Sequence, residues 1–135
     1  MNGYSVIVVE DDPQNATLFK KVLEKRANSS VTVTEDPAEV LALARAGGIR
    51  LVVMDVSLHN SKFEGRSVNG LEICRMLKSD PATARIPVML TTAHAMRGDA
   101  ETLLAESGAD DYVSKPILDH QAFVAQALAL MEQAA

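Results

Sequence analysis

Two short runs of uninterrupted apolar residues, Val6-Ile7-Val8-Val9 and Leu51-Val52-Val53-Met54, each end abruptly in acid, with Glu10-Asp11-Asp12 after the first and Asp55 after the second. A strand with one wet face alternates apolar and polar residues. A continuous apolar run fits a strand buried on both faces, as in a parallel sheet covered by helices. The carboxyl ends of such strands share one edge, where ligands bind, so acids far apart in sequence converge there. Two unit charges ~4 Å apart repel by ~4 kcal/mol at an effective dielectric of about 20. A hard cation such as Mg²⁺ removes that cost, and the pattern points to a metal-assisted phosphoryl site.

The rest of the chain repeats the strand and helix alternation. Strands are expected over residues 5–9, 31–34, 51–54, 87–91 and 112–113, and helices over 14–26, 37–46, 71–77, 99–107 and 119–132. Asp12 and Asp36 precede Pro13 and Pro37, a cap followed by a residue whose fixed φ suits a first helical turn. Gly47-Gly48 and Gly108 supply stops, and Asp80-Pro81 ends the third helix. Five βα units in succession imply a parallel sheet with helices on both faces.

Composition sets the outer limits. The 135 residues suit one domain spanning 1–135, within the common range of ~100–150. With 47% hydrophobic residues the chain can build a core, yet no apolar stretch approaches the ~20 residues a membrane helix needs. The start Met1-Asn2-Gly3-Tyr4 runs almost directly into a strand without the regions of a signal peptide, so a cytoplasmic location is expected. A net charge of −5 argues against direct nucleic-acid binding. Cys74, the single cysteine, lies among Ile73, Met76 and Leu77 and reads as a packed thiol.

Four fragments stand at strand ends in order: Val6-Ile7-Val8-Val9-Glu10-Asp11-Asp12, Leu51-Val52-Val53-Met54-Asp55, Pro87-Val88-Met89-Leu90-Thr91-Thr92-Ala93 and Tyr112-Val113-Ser114-Lys115-Pro116. Together they resemble the receiver domain of two-component response regulators. The resemblance implies an α/β, flavodoxin-like (βα)5 fold, a doubly wound parallel five-stranded sheet in the order 2-1-3-4-5. It implies a phosphoryl group taken onto Asp55 from a histidine kinase or histidine phosphotransfer protein, and a surface switched for a downstream protein effector. Mg²⁺, or Mn²⁺ in its place, would be held by Asp11, Asp55 and the Ser57 backbone carbonyl, with Glu10 acting through water. Lys115 would steady the acyl phosphate, and by resemblance the Lys115-Pro116 bond is cis. Thr92 and Tyr112 match the switch pair, while Ser57 and His94 match the positions that tune dephosphorylation. Asp12 is read as a helix cap.

The loop 57–69 departs from the family pattern. Receivers place a glycine closer to the acceptor than Gly70 stands here, and His59 occupies the usual proline place. About seven residues are inserted, a length that costs little closure entropy. The insert around Asn60-Ser61-Lys62-Phe63-Glu64-Gly65-Arg66-Ser67 reads as a polar loop with two cations and an exposed aromatic, either a tolerated surface insertion or a segment that selects a partner or leans over the phosphate. Phe123, Val124, Ala127, Leu128, Leu130 and Met131 form a wide apolar arc on the last helix, read as core or as a dimer or partner surface.

No effector is expected after Ala135, and a start at Met1 favours a complete chain over a receiver excised from a hybrid kinase. The rival class is a Mg²⁺-dependent phosphohydrolase with an aspartyl-phosphate intermediate. It needs a general acid two residues after the nucleophile, where this chain has Ser57. The only catalysis expected is slow self-phosphorylation from small donors and self-dephosphorylation.

Overall fold

The computed structural model describes residues 4–58, 61–93 and 99–133. In chain order the elements are β1 (Tyr4–Val9), α1 (Pro13–Arg26), β2 (Ser29–Thr34), α2 (Pro37–Ala46) and β3 (Ile49–Asp55). A short hairpin of β4 (Lys62–Phe63) and β5 (Arg66–Ser67) follows, then α3 (Gly70–Ser79), β6 (Val88–Thr92), α4 (Asp99–Ser107), β7 (Asp111–Ser114) and α5 (His120–Gln133).

The five long strands pair in parallel in the order β2-β1-β3-β6-β7, which is the expected 2-1-3-4-5 once the hairpin is set aside. Strand order reverses beside β1 and β3, the place where open α/β sheets carry ligands at their carboxyl edge. Both apolar runs are buried on both faces, as their composition demands. Val6, Val8, Leu51, Val53 and Met89 join Phe19 and Val22 of α1 and Phe123 and Met131 of α5 in one layer. Ile7, Val9, Val52, Met54, Val88 and Leu90 join Val40 of α2 and Ile73 and Leu77 of α3 in the other.

Helix starts sit where their caps put them. Asp12 Oδ1 accepts from the Gln14 amide at 2.9 Å and Asp36 Oδ1 from the Ala38 amide at 3.0 Å. Asn69 and Glu72 exchange side-chain and backbone bonds in a capping box at the start of α3. Cys74 is fully buried, and burial pushes its thiol up to about 11, which keeps it inert. Among the described residues no helix is long and apolar enough to cross a membrane.

Two expectations are corrected. The insert, expected as a long polar loop, carries a hairpin over 62–67, with residues 59–60 outside the described residues. Its feet, Leu58 and Val68, are buried in the second layer, the Val68 amide donates to Ser61 O at 3.1 Å, and Ser61 Oγ donates to Glu35 O at 2.5 Å. Phe63 is half-buried against that layer instead of standing exposed. The turn hid the hairpin: Glu64 and Gly65 both have positive φ, 53° and 79°, a conformation usually announced by Asn-Gly or Asp-Gly.

The apolar arc of α5 follows the core reading of the sequence. Phe123, Val124, Ala127, Leu130 and Met131 are buried and Leu128 packs against them. The large hydrophobic left in solvent nearby is Leu118, just before the helix, at 90% exposure.

Candidate functional site

The row of residues that closes the buried part of the sheet is polar. β1 delivers Glu10 and Asp11 just past its last residue, and β3 ends in Asp55 itself. Glu10 and Asp55 are buried, Asp11 is half-buried, and each of the three can place a carboxylate oxygen within 4.8 Å of the others.

Lys115 lies across this cluster. Its Nζ donates to Asp55 Oδ1 at 3.0 Å and to Glu10 Oε1 at 3.3 Å. The lysine is held at its own backbone, where the amide donates to Thr92 O at 2.8 Å and the Lys115-Pro116 bond is cis. Asp55 Oδ1 also accepts from the Ser57 amide at 3.1 Å, and Glu10 Oε2 from the Asp12 amide at 3.1 Å. Two acids from different strands are thus aimed at one point by backbone donors and joined by one cation.

The electrostatics follow from that geometry. Burial pushes the Glu10 carboxyl from an ordinary 4.5 up to about 7. Asp55 adds to the rise, while the Asp12 amide and the Lys115 charge oppose it. Burial pulls the Lys115 ammonium down, but the hydrogen bonds and charges of Asp55 and Glu10 outweigh it and raise its pKa above the ordinary 10.5. The cluster therefore retains its cation while Glu10 resists ionising. The donor set consists of hard carboxylate oxygens and fits a divalent cation such as Mg²⁺.

The other residues singled out in the sequence fall around this centre. Thr92 is the buried last residue of β6 rather than the residue after it, because its register with Ser114 extends the strand by one pair. Tyr112 is half-buried on β7 and packs against the second layer. Ser57 is exposed beside Asp55, whereas Asp12 caps α1 as expected. His94 lies outside the described residues. Sequence reasoning missed the Ser57 amide as a partner of Asp55, and it missed how tightly Gly70 packs on the end of β3. The first left no residue-type signal, since any residue but proline brings an amide.

A family model, the response regulator receiver domain, matches residues 6–127. The chain belongs to the response regulator receiver family. The polar-differentiation response regulator DivK of Brucella anthropi is 37% identical to this receiver over 113 residues, 84% of this chain and 85% of that protein. DivK of Brucella ovis gives the same figures.

Among solved structures, a putative response regulator from Chloroflexus aurantiacus superposes with a TM-score of 0.82 at 23% identity, covering 97% of this chain and 99% of that one. The receiver domain of sensor histidine kinase PA1611 from Pseudomonas aeruginosa PAO1, crystallised with magnesium coordinated in its active site cleft, superposes at 0.80 and 24% identity. That match covers 97% of this chain and 99% of the other. At these identities the two structures establish the shared fold.

Proposed function

We propose that this receiver takes a phosphoryl group onto Asp55 from the phosphohistidine of a histidine kinase or histidine phosphotransfer protein, and so switches its surface for a downstream protein effector. One observation carries the reading: a single lysine bridges Asp55 at 3.0 Å and Glu10 at 3.3 Å, with Asp11 close by. A merely structural strand-end acid has no need of a second acid and a half-buried cation.

In the reaction a carboxylate oxygen of Asp55 attacks phosphorus, the P–N bond to imidazole breaks, and the imidazole nitrogen keeps the electron pair. Asp11, Asp55 and the Ser57 carbonyl, with Glu10 through water, would hold Mg²⁺ or Mn²⁺. When bound, the ion supplies positive charge against the phosphoryl oxygens. Lys115 places a fixed cation on the new acyl phosphate, where charge is spread over those oxygens.

Thr92, next to Lys115 through the 2.8 Å backbone bond, offers its hydroxyl to the same group, and Tyr112 repacks as Thr92 moves. The phosphoryl group thus biases two pre-existing arrangements of the surface. Turnover is confined to slow self-phosphorylation from small donors and self-dephosphorylation, with Ser57 and His94 tuning the lifetime.

The test is labelling by phosphoramidate with Mg²⁺, read by intact mass. A metal-dependent gain of one phosphoryl group, absent in Asp55→Asn, is the expected result. A folded wild type that stays unlabelled overturns the reading.

A further inference from the structure

Thr91 has a place in the site that the phosphoacceptor chemistry above leaves unused. Its side chain is fully buried, and its Oγ1 is the one buried side-chain nitrogen or oxygen without a hydrogen-bond partner among the described residues. In register it stands opposite Asp55 on the neighbouring strand.

Strand alternation fixes which way it points. Val6 and Val8 on β1, Leu51 and Val53 on β3, and Met89 on β6 all face the layer shared with α1 and α5. Glu10, Asp55 and Thr91 continue the same parities, so two acids and a hydroxyl form one row on that face of three adjacent strands. Lys115 follows β7, on the far side of β6, yet its Nζ reaches Asp55 and Glu10. Its aliphatic stem therefore crosses β6 in the neighbourhood of Thr91.

A buried hydroxyl with no partner is costly, and valine has the same shape without that cost. The cost has a use if the partner arrives during the reaction. In the resting site the ammonium spends two contacts on Asp55 and Glu10; once those carboxylates serve a divalent cation, it needs another acceptor to stay aligned. A neutral hydroxyl holds it without cancelling the charge the phosphoryl oxygens require, whereas a third carboxylate would cancel it.

We infer that Thr91 is a positioning residue: its hydroxyl accepts a hydrogen bond from the Lys115 ammonium when that ammonium leaves Glu10 and aligns on a phosphoryl group at Asp55. The inference rests on the phosphoacceptor reading of Asp55.

The experiment compares wild type, Thr91→Val and Thr91→Ser in two measurements. The first is urea unfolding of the metal-free proteins; the second is the rate of labelling by phosphoramidate with Mg²⁺. The expected result is a valine variant at least as stable as wild type without metal, yet labelled about tenfold more slowly, with serine restoring the rate to within about twofold. A valine variant labelled at the wild-type rate, or a serine variant as slow as valine, overturns the inference. So does a valine variant clearly less stable without metal, since the hydroxyl is then already engaged at rest. These results all require a wild type that labels; an unlabelled wild type instead overturns the reading of Asp55 beneath the inference.

Discussion

Gly70 packs directly against the backbone carbonyl of Asp55, so closely that a β-carbon on Gly70 would overlap the oxygen. The contact has a cause in the chain path. The insert leaves the sheet after Val56 and returns at Val68, and the Gly70 amide then donates to Val56 O at 3.2 Å, seating the first turn of α3 on the end of β3. Only a residue without a side chain lets a helix start there.

Gly70→Ala must push α3 away from the end of β3. Overpacking of this kind costs about 1–3 kcal/mol. The urea midpoint should fall accordingly, and phosphoramidate labelling of Asp55 should slow more than the stability loss explains. An alanine variant with wild-type stability would show that the helix start yields freely.

Lys115→Met removes the cation between Asp55 and Glu10 and leaves two buried carboxylates facing each other. Breaking a buried ion pair from one side costs up to about 3–5 kcal/mol. The metal-free variant should therefore unfold at lower urea, with Mg²⁺ recovering much of the loss and labelling still impaired. Unfolding curves with and without Mg²⁺ check both halves.

Glu10 makes metal-free stability depend on pH in a defined direction. Its carboxyl sits near about 7 in the folded chain against an ordinary 4.5, so the folded state holds the proton more tightly. Below about 4.5 both states are protonated and the group is neutral to stability; as pH rises from 4.5 to 7 stability falls, and above 7 the loss is complete. Relative to Glu10→Gln, the urea midpoint of metal-free wild type should decline across that window. Mg²⁺ affinity should climb through the same window, because binding needs the ionised group.

Glu64→Asn addresses the hairpin. Glu64 occupies a turn position at φ 53°, a region where asparagine is at ease and glutamate is not. The variant should gain about 0.5–1 kcal/mol, within the range of compatible turn substitutions, without changing labelling by phosphoramidate. A loss of stability would mean that the Glu64 side chain contributes packing at the tip.

The sequence by itself determined the sheet and most of the acid cluster. Val6–Val9 and Leu51–Met54 are apolar throughout because both sheet faces are covered, and a run of that kind ends where water and ligands begin. Glu10, Asp11 and Asp55 were legible for that reason, and Asp12, Asp36 and the glycine stops were legible because caps act over a few residues.

Tertiary structure decided what depends on distance across the fold. The reach of Lys115 over β6, the burial that lifts Glu10 to about 7, the overlap at Gly70 and the isolated hydroxyl of Thr91 all arise between elements far apart in the chain. The hairpin at 62–67 belongs with them. Its turn holds Glu64 at a positive φ that glutamate disfavours, and it stands because Leu58, Phe63 and Val68 pack on the core beneath it.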